Sequence, residues 1–238
     1  KDEKICYELN LMKGKAIQFI SLVIQISTLK EEKMNEEEIN YLGDKDLQKM
    51  ISDLITLIIN SFQDILNNKE KFNFIKRYTG ELDDKGDSYN SLLFQICVFL
   101  TRGLIREPIK SNFSGNIRQF LLNILFPLIV TIEDENIFLE TDSDGYHQYI
   151  NDIIFKFKNK NFRTSACFLV KKICETFEEM SNFVLSFCFE MLNYIVKEGK
   201  NIEDMSEYNV YLKYRKNAMI DQFNDKIKLD FALLIILI

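Results

Sequence analysis

At 238 residues the chain is long enough for one large domain or two small ones, and its 47% apolar content can fill a sizeable core. Gly (8) and Pro (2) are too scarce for a sandwich or barrel, which needs turn residues every few positions, so composition points to long helices. A formal net charge of -6 does not suit general binding to nucleic acid or anionic membrane, which depends on Lys and Arg, and suits basic protein partners instead.

Taken in chain order, apolar spacing gives one helix after another. The first is predicted from about Leu9 to Leu29, followed by a charged linker over residues 30–40. Asp44 or Asp46 is placed to cap the next helix, in which Leu47, Met50, Ile51, Leu54, Ile55, Ile58, Phe62, Ile65 and Leu66 form one buried stripe at i, i+3, i+4, i+7 spacing. Polar residues at 67–71 and 80–88 precede a helix over about Tyr89 to Ile105, and the chain has a possible subdivision near 80–88. A further stripe runs through Ile117, Phe120, Leu121, Ile124, Leu125 and Leu128. Pro127 removes one backbone hydrogen bond, so it either kinks this helix or marks its end near Phe126. The acidic stretch that follows contains Glu133, Asp134, Glu135, Glu140, Asp142 and Asp144 and leads to an extra helix near 145–158.

Two more stripes follow: Phe162, Ala166, Leu169, Val170, Ile173 and Phe177, then Phe183, Val184, Phe187, Cys188, Met191, Leu192 and Ile195, with Ser181 as the expected cap between them. After a polar linker at 197–206 the chain closes on an apolar run from Phe231 to Ile238. Eight apolar residues are too few to span a bilayer, which takes about 20. Beginning without Met and stopping inside such a run, the sequence reads as a piece of a longer protein. No segment alternates with period two, so the fold class is all-α. Antiparallel hairpins starting near Leu9, Tyr89, Asn161 and Lys228 would each leave one apolar face to bury on a neighbour, as stacked helical repeats do. Their spacing exceeds the ~40–47 residues of a HEAT unit, so periodicity permits such repeats without establishing them.

Candidate chemistry is sparse. Cys6, Cys97, Cys167, Cys174 and Cys188 form no Cys-x-x-Cys pair and read as small core residues in a reducing compartment. His147 is the only histidine, and Tyr146, Gln148 and Tyr149 beside it offer no nucleophile. Glu140-x-Asp142-x-Asp144-Gly145 resembles the opening of a calcium loop, but the closing bidentate Glu is replaced by Asn151, so a solvated acidic loop is the better reading. Gly14-Lys15 lacks the earlier Gly and the Ser/Thr of a phosphate loop. Arg102 and Arg106, one turn apart, could bind a carboxylate or phosphate and are more often a solvated face. No constellation supports an enzyme, and no catalytic, cofactor or metal residue is expected.

The stretch from Phe126 to Glu178 resembles the karyopherin-β (importin-β superfamily) transport receptors, especially the importin seven/eight branch and the related exportin of importin-α. Leu125-Phe126-Pro127-Leu128, the acids from Glu133 to Glu140 and Tyr149-Ile150 stand where that family has a Phe-Pro-Leu helix, an acidic stretch and an Asp-Pro-x-Glu-Tyr-Ile motif. Arg163, Ala166-Cys167, Leu169-Val170 and Cys174 look like the exportin's Arg-rich Ala-Cys-x-Leu-Val helix, and residues 226–233 resemble the Lys-Lys-Asp-x-Ala-Leu helix that follows. The family's Pro and Glu are missing, Ser143 and Gln148 lie nearby, Asn151 replaces an Arg, and residues 1–88 match only as generic helices.

The resemblance implies a superhelix of HEAT repeats that binds cargo, Ran GTPase in its GTP form and Phe-Gly nucleoporins, and that shuttles between cytoplasm and nucleus. The acidic residues Glu133, Asp134, Glu135, Glu140, Asp142 and Asp144 are then a candidate surface for basic cargo, a solvated loop being the simpler reading. A HEAT-like scaffold for a non-transport assembly would show the same helices.

Overall fold

Apolar residues spaced three and four apart are realised as helix in the computed structural model, which describes residues 8–20, 49, 52–53, 55–58, 60, 84–104, 107–130, 144–145, 162–197, 209–222 and 224–237. Among these residues there is no strand, and the fold class is all-α. No described helix is long and apolar enough to cross a membrane. The chain divides into two compact units, Lys1–Ile117 and Arg118–Ile238.

In the first unit, helix α1 covers residues 8–20. Asn10, Gly14 and Ile17, at i, i+4, i+7, form its buried face. Gly14 lies against a second helix, because a Cβ there would meet the Leu92 backbone at 3.9 Å. On the helical positions between 49 and 60, Ile55 and Ile58 of the expected stripe are buried, while Leu57 between them is exposed. The caps expected at Asp44 and Asp46 lie outside the described residues.

Helix α2 (Asp84–Gly103) begins five residues before the predicted Tyr89, so the described part of the polar stretch 80–88 is helical. Its buried residues Leu92, Leu93, Ile96, Cys97, Phe99 and Leu100 follow one broad helical face, which Leu104 just past its end extends. Helix α3 (Glu107–Ser114) folds back closely enough that a Cβ on Gly103 would come within 2.5 Å of Ile109 Cδ1. Gly103 permits that approach because it carries no side chain.

From Arg118 the second unit opens on a helical rod made of α4 (Ile117–Phe120, its first residue assigned to the first unit), a π-helical turn (Leu121–Leu125) and α5 (Phe126–Ile129). Pro127 does not end the helix at Phe126. The π turn precedes it, with the Phe126 N–H donating to Leu121 O five residues back. That wider turn takes up the geometry a proline forces on the preceding residues, and the helix continues to Ile129. The single-stripe reading of this segment also needs correction. Leu122, Phe126, Pro127, Ile129 and Val130 are buried along with the predicted positions, so the rod from Phe120 onward is covered almost all round. A helix apolar on every side belongs in the middle of a core.

Helix α6 (Phe162–Thr176) packs on that rod, and α7 (Glu178–Val196) follows it after one extended residue, Phe177, at φ -127° and ψ 97°. The corner contains neither Gly nor Pro. Ser181, the expected cap, lies inside α7 instead, and Glu178 and Glu179 occupy the first turn, where negative charge favours the helix dipole. Helix α8 (Val210–Tyr214), two 3-10 turns (Arg215–Asn217 and Met219–Gln222) and α9 (Asp225–Leu237) complete the unit. Helix α7 packs against α6, α8 and α9, and the Met219–Gln222 turn packs against the rod.

Candidate functional site

Of the residues that carry the family resemblance, Phe126, Arg163, Ala166, Leu169, Val170 and Phe231 lie in the core of the second unit. The Phe126 ring lies 5.0 Å from that of Phe231 on α9 and 5.4 Å from that of Phe187 on α7. Ala166, Leu169 and Val170 are buried on α6, the helix that packs on the rod. Arg163, itself buried, donates from Nε to the Ile129 carbonyl at 2.8 Å. That carbonyl belongs to the last turn of α5, where helical acceptors have no partner of their own and a cation also favours the dipole. Arg163 thereby ties together the two described ends that flank residues 131–161.

Burial holds the thiols of this core in the protonated form. Burial pushes the Cys167 thiol up to about 12, although the nearby Arg163 charge pulls the other way. Burial likewise raises Cys174, opposed by a hydrogen bond with Ser181, and raises Cys188. A nucleophilic cysteine needs the opposite shift. Cys97, Cys167 and Cys188 are buried as expected, Cys174 is half-buried, and Cys6 lies outside the described residues.

Of the acidic candidates, Asp144 is exposed on a short helical piece, while Glu133, Asp134, Glu135, Glu140 and Asp142 lie outside the described residues. So do His147, Tyr149, Ile150 and Arg106. Arg102 is exposed on α2. No group of three or more His, Cys, Asp or Glu among the described residues is placed to hold a metal ion.

Two features of the second unit were not anticipated from the sequence. One is a polar corner. Tyr211, fully buried, donates its hydroxyl to Asp221 Oδ1 at 2.5 Å, and Lys228 Nζ lies 3.4 Å from both Asp221 Oδ1 and Asp225 Oδ1. Burial, together with the hydrogen bond to the Asp221 carboxylate, pushes the Tyr211 phenol well above its usual range.

The other is a basic and aromatic ledge on α8 and the turn after it. Arg118 lies over the Phe183 ring at 5.3 Å and donates to the Tyr214 hydroxyl at 3.4 Å. Lys213 lies 5.4 Å from the Tyr214 ring centroid, and Arg215 lies 5.4 Å from that of Tyr194. The alternation of Tyr and cation over residues 211–216 was the available sequence signal for this ledge. Helix α7 also leaves Leu185, Phe189 and Val196 exposed on its outer face.

Comparisons with protein-family models, curated proteins and solved structures found no match.

Proposed function

We propose that this chain is a helical-repeat segment of a nuclear transport receptor of the karyopherin-β type. Its antiparallel hairpins stack as HEAT repeats into a superhelix. The whole receptor binds basic protein cargo, Ran-GTP and nucleoporins, and shuttles between cytoplasm and nucleus. The observation that carries this reading is the convergence of three distant family-like stretches on one core. Phe126, Arg163 with Ala166 and Leu169, and Phe231 come from separate parts of the sequence and line neighbouring helices. A family signature that resides in packing residues has to converge in this way, because such residues are useful only against one another.

The outer face of α7 lends further support. Leu185, Phe189 and Val196 leave an apolar stripe exposed on a helix whose inner face is already packed, which suits a unit that stacks on neighbours. In this reading the receptor does no chemistry. Cargo and Ran-GTP favour different curvatures of one flexible solenoid, and each shifts the population only as far as its affinity differs between them.

The test is a pull-down of the natural protein carrying this segment, with Ran locked in its GTP form and, separately, with GDP. Retention with GTP alone is the expected result. Equal retention, or none, overturns the receptor reading in favour of a helical scaffold for a non-transport assembly.

A further inference from the structure

We propose that the ledge formed by Arg118, Lys213, Arg215 and Lys216 around Tyr194 and Tyr214 docks a short acidic peptide segment of a partner protein. The sign of charge is the first argument. In a chain of net charge -6, residues 211–217 carry three cations and no acid. Lys213, Arg215 and Lys216 have no carboxylate partner among the described residues, and Lys213 and Lys216 are exposed. Among the described residues the one carboxylate partner of Arg118 is Glu179, at 3.9 Å and with both side chains well exposed, a pair that solvent screens and a ligand can displace.

Preorganisation is the second argument. The bracket is short, yet it is held at several points. The Asn209 side chain caps α8 by accepting from the Leu212 N–H at 3.1 Å. Tyr211 is buried against Phe187 and bonded to Asp221, and the backbone N–H of Ala218 donates to Arg215 O at 3.1 Å. The cations are therefore presented on a fixed turn beside half-buried Tyr rings, which lowers the ordering cost of binding. Tyr and Arg are also the residues that most often anchor such contacts.

The size of the patch selects the ligand. Glu178 and Glu179 are exposed at the start of α7, Glu179 beside Arg118, and Asp225 is exposed beyond the bracket. A long polyanion such as RNA or DNA would run onto these carboxylates and needs a continuous basic track. A short run of Asp and Glu with one aromatic side chain fits between them, its carboxylates on the cations and its ring beside Tyr214.

The experiment measures fluorescence anisotropy of a short labelled peptide of Asp and Glu with a central Phe, titrated with the intact chain. A single-stranded oligonucleotide of equal charge serves as competitor class. Binding is expected to weaken at least about tenfold in the triple variant Lys213→Glu, Arg215→Glu, Lys216→Glu, and about tenfold between low and ~300 mM salt. The milder pair Lys213→Gln and Lys216→Gln, with helicity checked by circular dichroism, is expected to weaken it several-fold. No peptide binding by the unaltered chain, equal binding by the milder pair, or tighter binding of the oligonucleotide overturns the proposal. The Ran-GTP pull-down does not bear on it, since the ledge argument makes no use of the transport reading.

Discussion

At the centre of the Arg118–Ile238 unit, the Phe126 ring meets those of Phe187 and Phe231, all three buried, while at the polar corner Tyr211, Asp221, Asp225 and Lys228 are held by a few directed contacts. Tyr211 belongs to both, with its ring edge-on to Phe187 at 5.4 Å and its hydroxyl on Asp221. The centre is stabilised by area removed from water, which is non-directional and tolerant of which apolar side chain supplies it. The corner depends on partners: each buried polar atom costs free energy unless a particular atom on another element reaches it. The two regions should therefore respond differently to substitution and to pH.

The largest effect is expected at the centre. Phe126→Ala removes a fully buried ring that touches two others and should lower stability by about 3–5 kcal/mol in urea unfolding followed by circular dichroism. A loss below ~1 kcal/mol would mean that the ring cluster is not the centre of this core.

The corner should show an asymmetry. Asp221→Ala strands the buried Tyr211 hydroxyl and leaves Lys228, among the described residues, with the exposed Asp225 alone, and a cost of about 2–3 kcal/mol is expected. Lys228→Met keeps the apolar stem and leaves Asp221 bonded to Tyr211 and partly solvated, so it should stay within about 1 kcal/mol of the parent. Equal costs for the two substitutions would show that the corner does not rely on Asp221 as its shared acceptor.

Alkaline pH acts on both regions with the same sign. Cys167 titrates near 9 when unfolded and is pushed up to about 12 in the core. The folded chain therefore holds a proton that the unfolded chain has released. The associated stability is complete below pH ~9 and falls by about 1.4 kcal/mol per pH unit as pH rises toward 12. Tyr211, also raised, adds to the slope above pH ~10. Urea midpoints at increasing pH should fall accordingly, and Cys167→Ala should lessen the decline, the part due to Cys174 and Cys188, also raised by burial, remaining. A flat profile in the parent chain would contradict the burial of these groups.

How much was legible follows the same division. Of the stripe at Phe183, Val184, Phe187, Cys188, Met191, Leu192 and Ile195, the first five are buried as the spacing predicts, because a helix in contact with a core repeats its apolar residues at the helical period, while Leu192 and Ile195 near the end of the helix are half-buried. The Phe120–Val130 rod was recognised as helix but mistaken for one-sided. Its near-continuous apolar run, broken by Asn123, was the signal for burial all round. The corner at Phe177 carries no turn residue, so the local pattern points to a cap four residues too late, at Ser181. The role of Pro127 could not be decided from its neighbours, since the π turn that accommodates it is a property of the backbone once packed.

The sequence by itself determined that the described residues are helical, where several of their helices run, and which residues give those helices an apolar face, because those follow from local composition and period. Only the tertiary structure decided that Phe126 and Phe231, far apart in the chain, share one core, that Arg163 serves the Ile129 carbonyl, and that Arg118 joins Lys213 at the Tyr214 ring. The physical reason is that burial is written one helix at a time, whereas a hydrogen bond or a cluster of charge exists only once two distant segments have come within a few ångströms of each other.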